Sequence, residues 1–310
     1  MFSRMAFCVQ QPRATADDPL PALVRALRSQ NVMDRLRAAK DLGRLGWLAL
    51  DATPALVGAL DDADAKVREA AAHAIGGMGP ESLPALVAML AHADKYVRRH
   101  AVWSLGKLGP LACPALPDLC HSLKDADPRT ASGAAQALGN MGADGADAVV
   151  SLAEAMRGTN IVLCRLASKA LSQIGSPALA TLIAHLQHAD PFVRGESALA
   201  IGWMGAAARS AVPFLARILR GSDASLTRTP LPSFTPTAIE IAESEAITPA
   251  QMSGGEALSA EMNCRVFAAQ ALGRIGPPAS GALVELREAA RNAPEPLHDA
   301  AQQAIRQISQ

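Results

Sequence analysis

The sequence predicts an all-α chain, an α-solenoid of about eight two-helix repeats. Three observations carry that expectation. A six-residue formula recurs as "DLGRLG", "AIGGMG", "SLGKLG", "ALGNMG", "ALSQIG", "AIGWMG" and "ALGRIG", with a worn copy in "AIRQIS". Its third positions, the anchors, are residues 43, 76, 106, 139, 172, 202, 273 and 306, at steps of 33, 30, 33, 33, 30, 71 and 33. Such self-similarity marks stacked supersecondary units. Half of the 310 residues are hydrophobic yet only 3% are aromatic, so the apolar mass is alanine and leucine, which favour helix. Small and medium residues also fill fixed columns: Ala38, Ala71, Ala101, Ala134, Ala167 and Ala268 in one, and Leu42, Ile75, Leu105, Leu138, Leu171, Ile201, Leu272 and Ile305 in the next. A helix pair cannot bury such a face alone, so neighbouring pairs must stack.

Each element of the repeat has its own signal. Phrases such as "LPALVRAL" and "TPALVGAL" open the first helix, with Pro21, Pro54, Pro84 and Pro213 in or near a first turn whose N–H groups lack intrahelical partners. A short turn follows ("LDDAD", "LKDAD", "LQHAD"). Twelve residues before the anchor stand Asn31, Asp64, Asp94, Asp127, Asn160 and Asp190, good N-caps for the second helix. The second helix runs into paired glycines, which suit a left-handed C-terminus. Residues 1–18 read as a flexible arm and 19–310 as the repeat domain. The 71-residue step is too long by 38, and residues 222–260, rich in Pro, Ser and Thr, read as a disordered acidic insertion. That segment carries Arg228 against Asp223, Glu240, Glu243, Glu245 and Glu256. The formal net charge of zero therefore combines an acidic tether with a mildly basic solenoid.

Phrases such as "DAKVREAAAHAIGGMG" and "DPFVRGESALAIGWMG" resemble HEAT repeats, specifically the short type named after the phycobilisome lyases. The resemblance spans roughly residues 20–310 outside the insertion. It implies that the second helices line a concave surface. It also implies that Arg35, Arg68, Arg98, Arg194 and Arg265, one column, pair with aspartates of adjacent turns as a structural ladder.

Chemistry-bearing patterns are sparse. The five cysteines are odd in number and lack a Cys-x-x-Cys pair, which suits a reducing, cytoplasmic setting and small apolar filler roles. No apolar run approaches the 18 residues of a membrane span. His185 and His188 in "HLQH" have spacing compatible with shared metal ligation, but His188 aligns with His92, Asp62 and Asp125 as a turn residue. The chain lacks the His-Glu dipeptides of the iron-binding deoxyhypusine hydroxylases, and it lacks phosphate-loop and nucleophile-elbow motifs. Neither metal nor cofactor is expected.

Two tryptophans break the column pattern. Three residues before the anchor, most copies are polar (Lys40, His73, Gln136, Lys169, Gln270, Gln303), whereas Trp103 and Leu199 are large and apolar. One residue past it stand Arg44, Gly77, Lys107, Asn140, Gln173, Arg274 and Gln307, and against them Trp203. Columns that are polar in most copies face solvent, so both indoles are expected on the surface. Tyr96, Arg99, His100, Trp103 and Lys107 share one helix face; Phe192, Glu196, Leu199 and Trp203 follow nearly the same spacing three repeats later, with Arg129, Arg165 and Lys169 between. Aromatic clusters rimmed by charge are typical binding anchors. The leading expectation is a monomeric, non-catalytic scaffold holding an elongated peptide or protein. The alternatives are a chaperone resembling the phycobilin lyases and a nucleic-acid-binding protein resembling HEAT-like alkylpurine DNA glycosylases. The neutral overall charge argues against the latter.

Overall fold

The computed structural model describes residues 19–221 and 260–310, and these are all-α. The arm 1–18 and the insertion expected over 222–260 lie outside the described residues, except that Ala260 opens a helix. The chain divides into two compact units, residues 1–101 and 102–310. Unit 1 holds α1 (Leu20–Ala26), α2 (Val32–Leu45), α3 (Thr53–Ala59), α4 (Ala65–Gly76), α5 (Leu83–Leu90) and the first half of α6 (Lys95–Leu108). Unit 2 continues with α7 (Leu116–Ser122), α8 (Pro128–Asn140), α9 (Val149–Met156), α10 (Ile161–Ile174), α11 (Ser176–His185) and α12 (Pro191–Trp203). It ends with α13 (Val212–Arg220), α14 (Ala260–Ile275), α15 (Leu283–Asn292) and α16 (Leu297–Ile308). Odd-numbered helices are the first of each pair and even-numbered helices the second. Within each unit the second helices stack on one another, α2 on α4, then α8, α10, α12, α14 and α16 in order. The columns from Leu42 to Leu272 form the core at full burial.

The N-caps are as the sequence predicts. Asn31 accepts from the Met33 N–H at 2.9 Å, Asp94 from Tyr96 at 2.8 Å, Asp127 from Thr130 at 2.9 Å, and Asp190 from Phe192 at 2.8 Å. Each cap satisfies a donor that the helix itself leaves orphaned.

The paired glycines divide their labour, which corrects the expectation that both serve the helix terminus. Only the second of each pair has positive φ: 56° at Gly46, 90° at Gly79, 80° at Gly175 and 74° at Gly276. There the chain leaves the second helix for the short segment leading to the next pair. The first glycine is ordinary helix, and its role is close packing. A Cβ on Gly139 would lie 2.9 Å from the Ala170 Cα, one on Gly202 2.9 Å from the Ala271 Cα, and one on Gly273 3.0 Å from the Ala304 Cα. Gly43 and Gly106 meet Ala74 and Ala137 at 3.3 and 3.4 Å. Gly202 meets Ala271 across the insertion just as Gly139 meets Ala170, so the stack in unit 2 runs on past it. Arg265 of α14 also donates to the Leu219 carbonyl of α13 at 2.7 Å, joining the two flanks of the inserted segment.

At Arg35 and Arg68 the arginine column pairs with aspartates of adjacent turns, as the resemblance implies; Arg194 pairs with a glutamate and Arg265 donates to a carbonyl. Arg35 forks onto Asp62 through Nε (2.6 Å) and Nη2 (2.9 Å), and its Nη1 donates to the Ser29 carbonyl. Arg68 grips Asp94 at 2.6 Å and the Asp62 carbonyl at 2.7 Å. Arg194, nearly fully buried, donates to the His188 and Ala189 carbonyls and pairs with Glu261 at the far side of the insertion. Planar forks of this kind satisfy a carboxylate and a turn carbonyl together.

Three stability outcomes follow from this packing. Gly202→Ala should lower unfolding free energy by about 1–3 kcal/mol, because backbone must move to admit the methyl group. Gly58→Ala, on α3 with open space around it, should raise it by about 0.5–1 kcal/mol through chain entropy. Urea unfolding of both variants checks the pair. Arg194→Ala should cost about 1–3 kcal/mol in the same assay by leaving carbonyls and Glu261 without their donor.

Candidate functional site

The outlying aromatics sit where the column logic puts them, and each is considered within its own unit. In unit 1, Tyr96 is exposed at the start of α6, with the Arg99 guanidinium 5.1 Å and the Lys95 ammonium 5.5 Å from its ring centre. His100 is half-buried beside them. Its Nε2 lies 3.8 Å from Glu69, and its ring meets His73 edge-on at 6.4 Å. Burial pushes its pKa below the ordinary 6.5, with Glu69 opposing and His73 adding to the depression.

In unit 2, Trp103 is 47% exposed and Trp203 42% exposed. The Lys107 ammonium sits 3.8 Å over the Trp103 ring, a close cation–π stack one helical turn along. Arg129 of α8 and Lys169 of α10 are exposed, while Phe192 and Leu199 of α12 are half-buried. Trp103 and Trp203 belong to different second helices, separated in the stack by α8 and α10.

Glu196 is a correction. The helical spacing places it on the partner-facing surface, but it is only 4% exposed. The reason is that α12 is covered on two sides, by α10 and by α14, which follows the insertion. There Glu196 forms an ion pair with Arg165 at 3.5 Å, and its backbone carbonyl accepts from Ser168 at 2.9 Å. Burial raises its pKa, with Arg165 opposing. Its role is to hold Arg165 from beneath, leaving the guanidinium partly exposed.

One exposed aromatic escapes the column reading. Trp47 and Leu48 are 65% and 53% exposed in the 3-10 segment Gly46–Ala52. The signal was available: other copies carry Pro80, Pro110, Ala143, Ser176, Ala206 or Pro277 at the position of Trp47.

The histidines of the turns serve as turn acceptors. His188 Nδ1 accepts from the Asp190 N–H at 3.1 Å and His92 Nδ1 from Asp94 at 3.0 Å, as Asp62 and Asp125 do for Asp64 and Asp127. Among the described residues no cluster of three metal-ligating side chains forms. Cys164 and Cys264 are buried, with thiol pKa values pushed up to about 11 by desolvation, so both are inert at neutral pH. Among the described residues no helix is long and apolar enough to cross a membrane.

With the repeat geometry established, comparison with known families agrees. The model for HEAT repeats matches residues 20–106, 83–166 and 150–231. The chain belongs to the HEAT-repeat family. No curated protein matches it. Solved structures similar to it include an engineered protein at 19% identity, covering 94% of this chain and 79% of that one with a TM-score of 0.45. Human deoxyhypusine hydroxylase in complex with glycerol matches at 21% identity, covering 94% and 96%, TM-score 0.36. The complex of CpcE and CpcF of phycocyanin lyase from Nostoc sp. matches at 19% identity, covering 96% and 97%, TM-score 0.40.

The depressed histidines give a pH expectation. Burial also lowers the pKa of His185, helped by Arg157 and His188. Below pH 6.5 the unfolded chain takes up protons that these folded rings refuse. The stability they contribute is therefore fully present above 6.5 and is lost as pH falls through their lower folded-state values. The thermal midpoint should drop between about pH 7.5 and about pH 5.5, and the double variant His100→Gln/His185→Gln should drop less.

Proposed function

We propose that this chain is a non-catalytic HEAT-repeat adaptor that holds an elongated peptide or protein partner along its second helices. The observation that carries the reading is the pair of exposed indoles, Trp103 and Trp203, in columns that most other copies fill with polar residues. An indole left in water costs free energy that a partner's apolar surface would recover, and tryptophan and arginine dominate binding hot spots. Stacked helices lie roughly 10 Å apart, so anchors three repeats apart stand about 30 Å from each other. No single small ligand bridges that distance, whereas an extended segment does.

The test is crosslinking of the full chain in its native host, with partner recovery compared between wild type and Trp103→Ala/Trp203→Ala. The variant should keep its helical circular dichroism and recover partner at less than about one tenth of the wild-type level. Equal recovery by the double variant would rule out this face.

A further inference from the structure

We propose that the partner segment held on the second-helix face of unit 2 is acidic, with carboxylates between apolar ends. The proposal rests on the adaptor reading and adds the chemistry of the partner. Its basis is a segregation of charge between the two helix sets of unit 2. Between Trp103 and Trp203, the exposed charges on second helices are Lys107, Arg129 and Lys169, with Arg165 one-third exposed. On α8, α10 and α12 the sole carboxylate is Glu196, and it is buried beneath Arg165. The exposed carboxylates of the same stretch lie elsewhere: Asp118 on α7, Asp144 and Asp147 in the segment before α9, and Glu154 on α9. Apart from the half-buried N-caps Asp127 and Asp190 at the turn ends, acidic groups are thus kept off the face that carries the indoles.

That face has a readable spacing. Its cations sit on three successive helices whose axes lie roughly 10 Å apart, Lys107 at the C-terminal end of α6, Arg129 at the N-terminal end of α8 and Lys169 in the second half of α10. An extended peptide advances about 3.3 Å per residue, and because the cations are staggered along their helices its carboxylates meet them at unequal intervals. About nine residues span the gap between the indoles, which take apolar side chains at either end. Charge complementarity of this kind fixes register and speeds association. A nucleic acid fits less well, because four cations interspersed with Gln136, Asn140 and Gln173 neutralise few phosphates, and phosphate neutralisation dominates its affinity.

The experiment uses fluorescein-labelled peptides of about twelve residues, a length set by the extended rise per residue. Each has a leucine or phenylalanine near both ends and Glu, Gln or Lys at positions between them. Anisotropy is read on the full chain, with a single-stranded oligonucleotide and a peptide of residues 222–259 as competitors. The Glu peptide should bind, and added salt should weaken it. Lys107→Glu/Arg129→Glu/Lys169→Glu should lose more than about tenfold in affinity, and Trp103→Ala/Trp203→Ala a similar factor. Equal binding of the Gln or Lys peptide overturns the proposal, as does a charge-reversed variant that binds the Glu peptide undiminished. Tighter binding of the oligonucleotide overturns it in favour of a nucleic acid. Displacement by the 222–259 peptide alone overturns a separate partner in favour of this chain's own acidic segment. If the native partner is lost by the tryptophan variant but kept by the charge-reversed one, the acidic chemistry fails and the adaptor reading stands. If both variants keep it, both fail.

Discussion

The close approach of successive second helices, glycine against alanine, is the constraint on which the rest of each unit depends. At Gly139, Gly202 and Gly273 no Cβ fits against the next helix backbone. Closing that gap lets the leucine and isoleucine column one residue earlier reach full burial. It also fixes which side chains stay outside. On an α-helix, residues three before and one after a given position are four apart and lie one above the other to one side of it. Trp103 and Lys107 therefore lie together on one side of the Gly106 contact, where they stack. The packing that stabilises the repeat and the geometry that exposes the anchors are one arrangement.

The turns form a second layer of constraint, and here the repeats vary without losing function. Where the turn carries Asp62, that carboxylate accepts both the Asp64 N–H and the Arg35 fork. Where His92 replaces it, imidazole Nδ1 keeps the backbone bond, and Arg68 takes the cap aspartate Asp94 instead. His92 Nε2 faces Asp61 at 3.1 Å, so the neutral ring with its proton on Nε2 serves both neighbours. The acidic partners gain from this: Asp62 and Asp94 both titrate below the usual 3.8, Asp62 chiefly through the Arg35 hydrogen bond.

Local signals were legible because they act within a few residues. Caps, first-turn prolines, the period and the polar columns all express backbone donors or helix faces, and each could be read from spacing. The fates of Glu196 and of the first glycine were not, because they depend on what a neighbouring helix brings. Glu196 is covered partly by α14, whose place is set from beyond the 38-residue excess in the repeat step. Helical periodicity assigns a face but not its occupant. Trp47 lies outside that logic for a different reason: its column is in the connecting segment, where the other copies carry small residues or proline and no helix face sets the pattern.

The energetics of the anchors bear on why a repeat protein would carry so few. Most exposed positions on the second helices are charged or amide side chains, which are easily rehydrated. Against that background one indole adds a large apolar area with few torsions to freeze. Lys107 already stacks on Trp103, so part of its side-chain entropy is spent before any partner arrives. Its ammonium still presents hydrogen-bond donors outward, and a carboxylate approaching the indole meets a charge already in place. Glu196 does the equivalent for Arg165 from below, at the cost of burying a carboxylate whose raised pKa records that penalty. A buried ion pair of this kind is poor evidence for stability. Its retention makes better sense as positioning, because it holds a guanidinium at the surface of a helix face that carries no exposed acid.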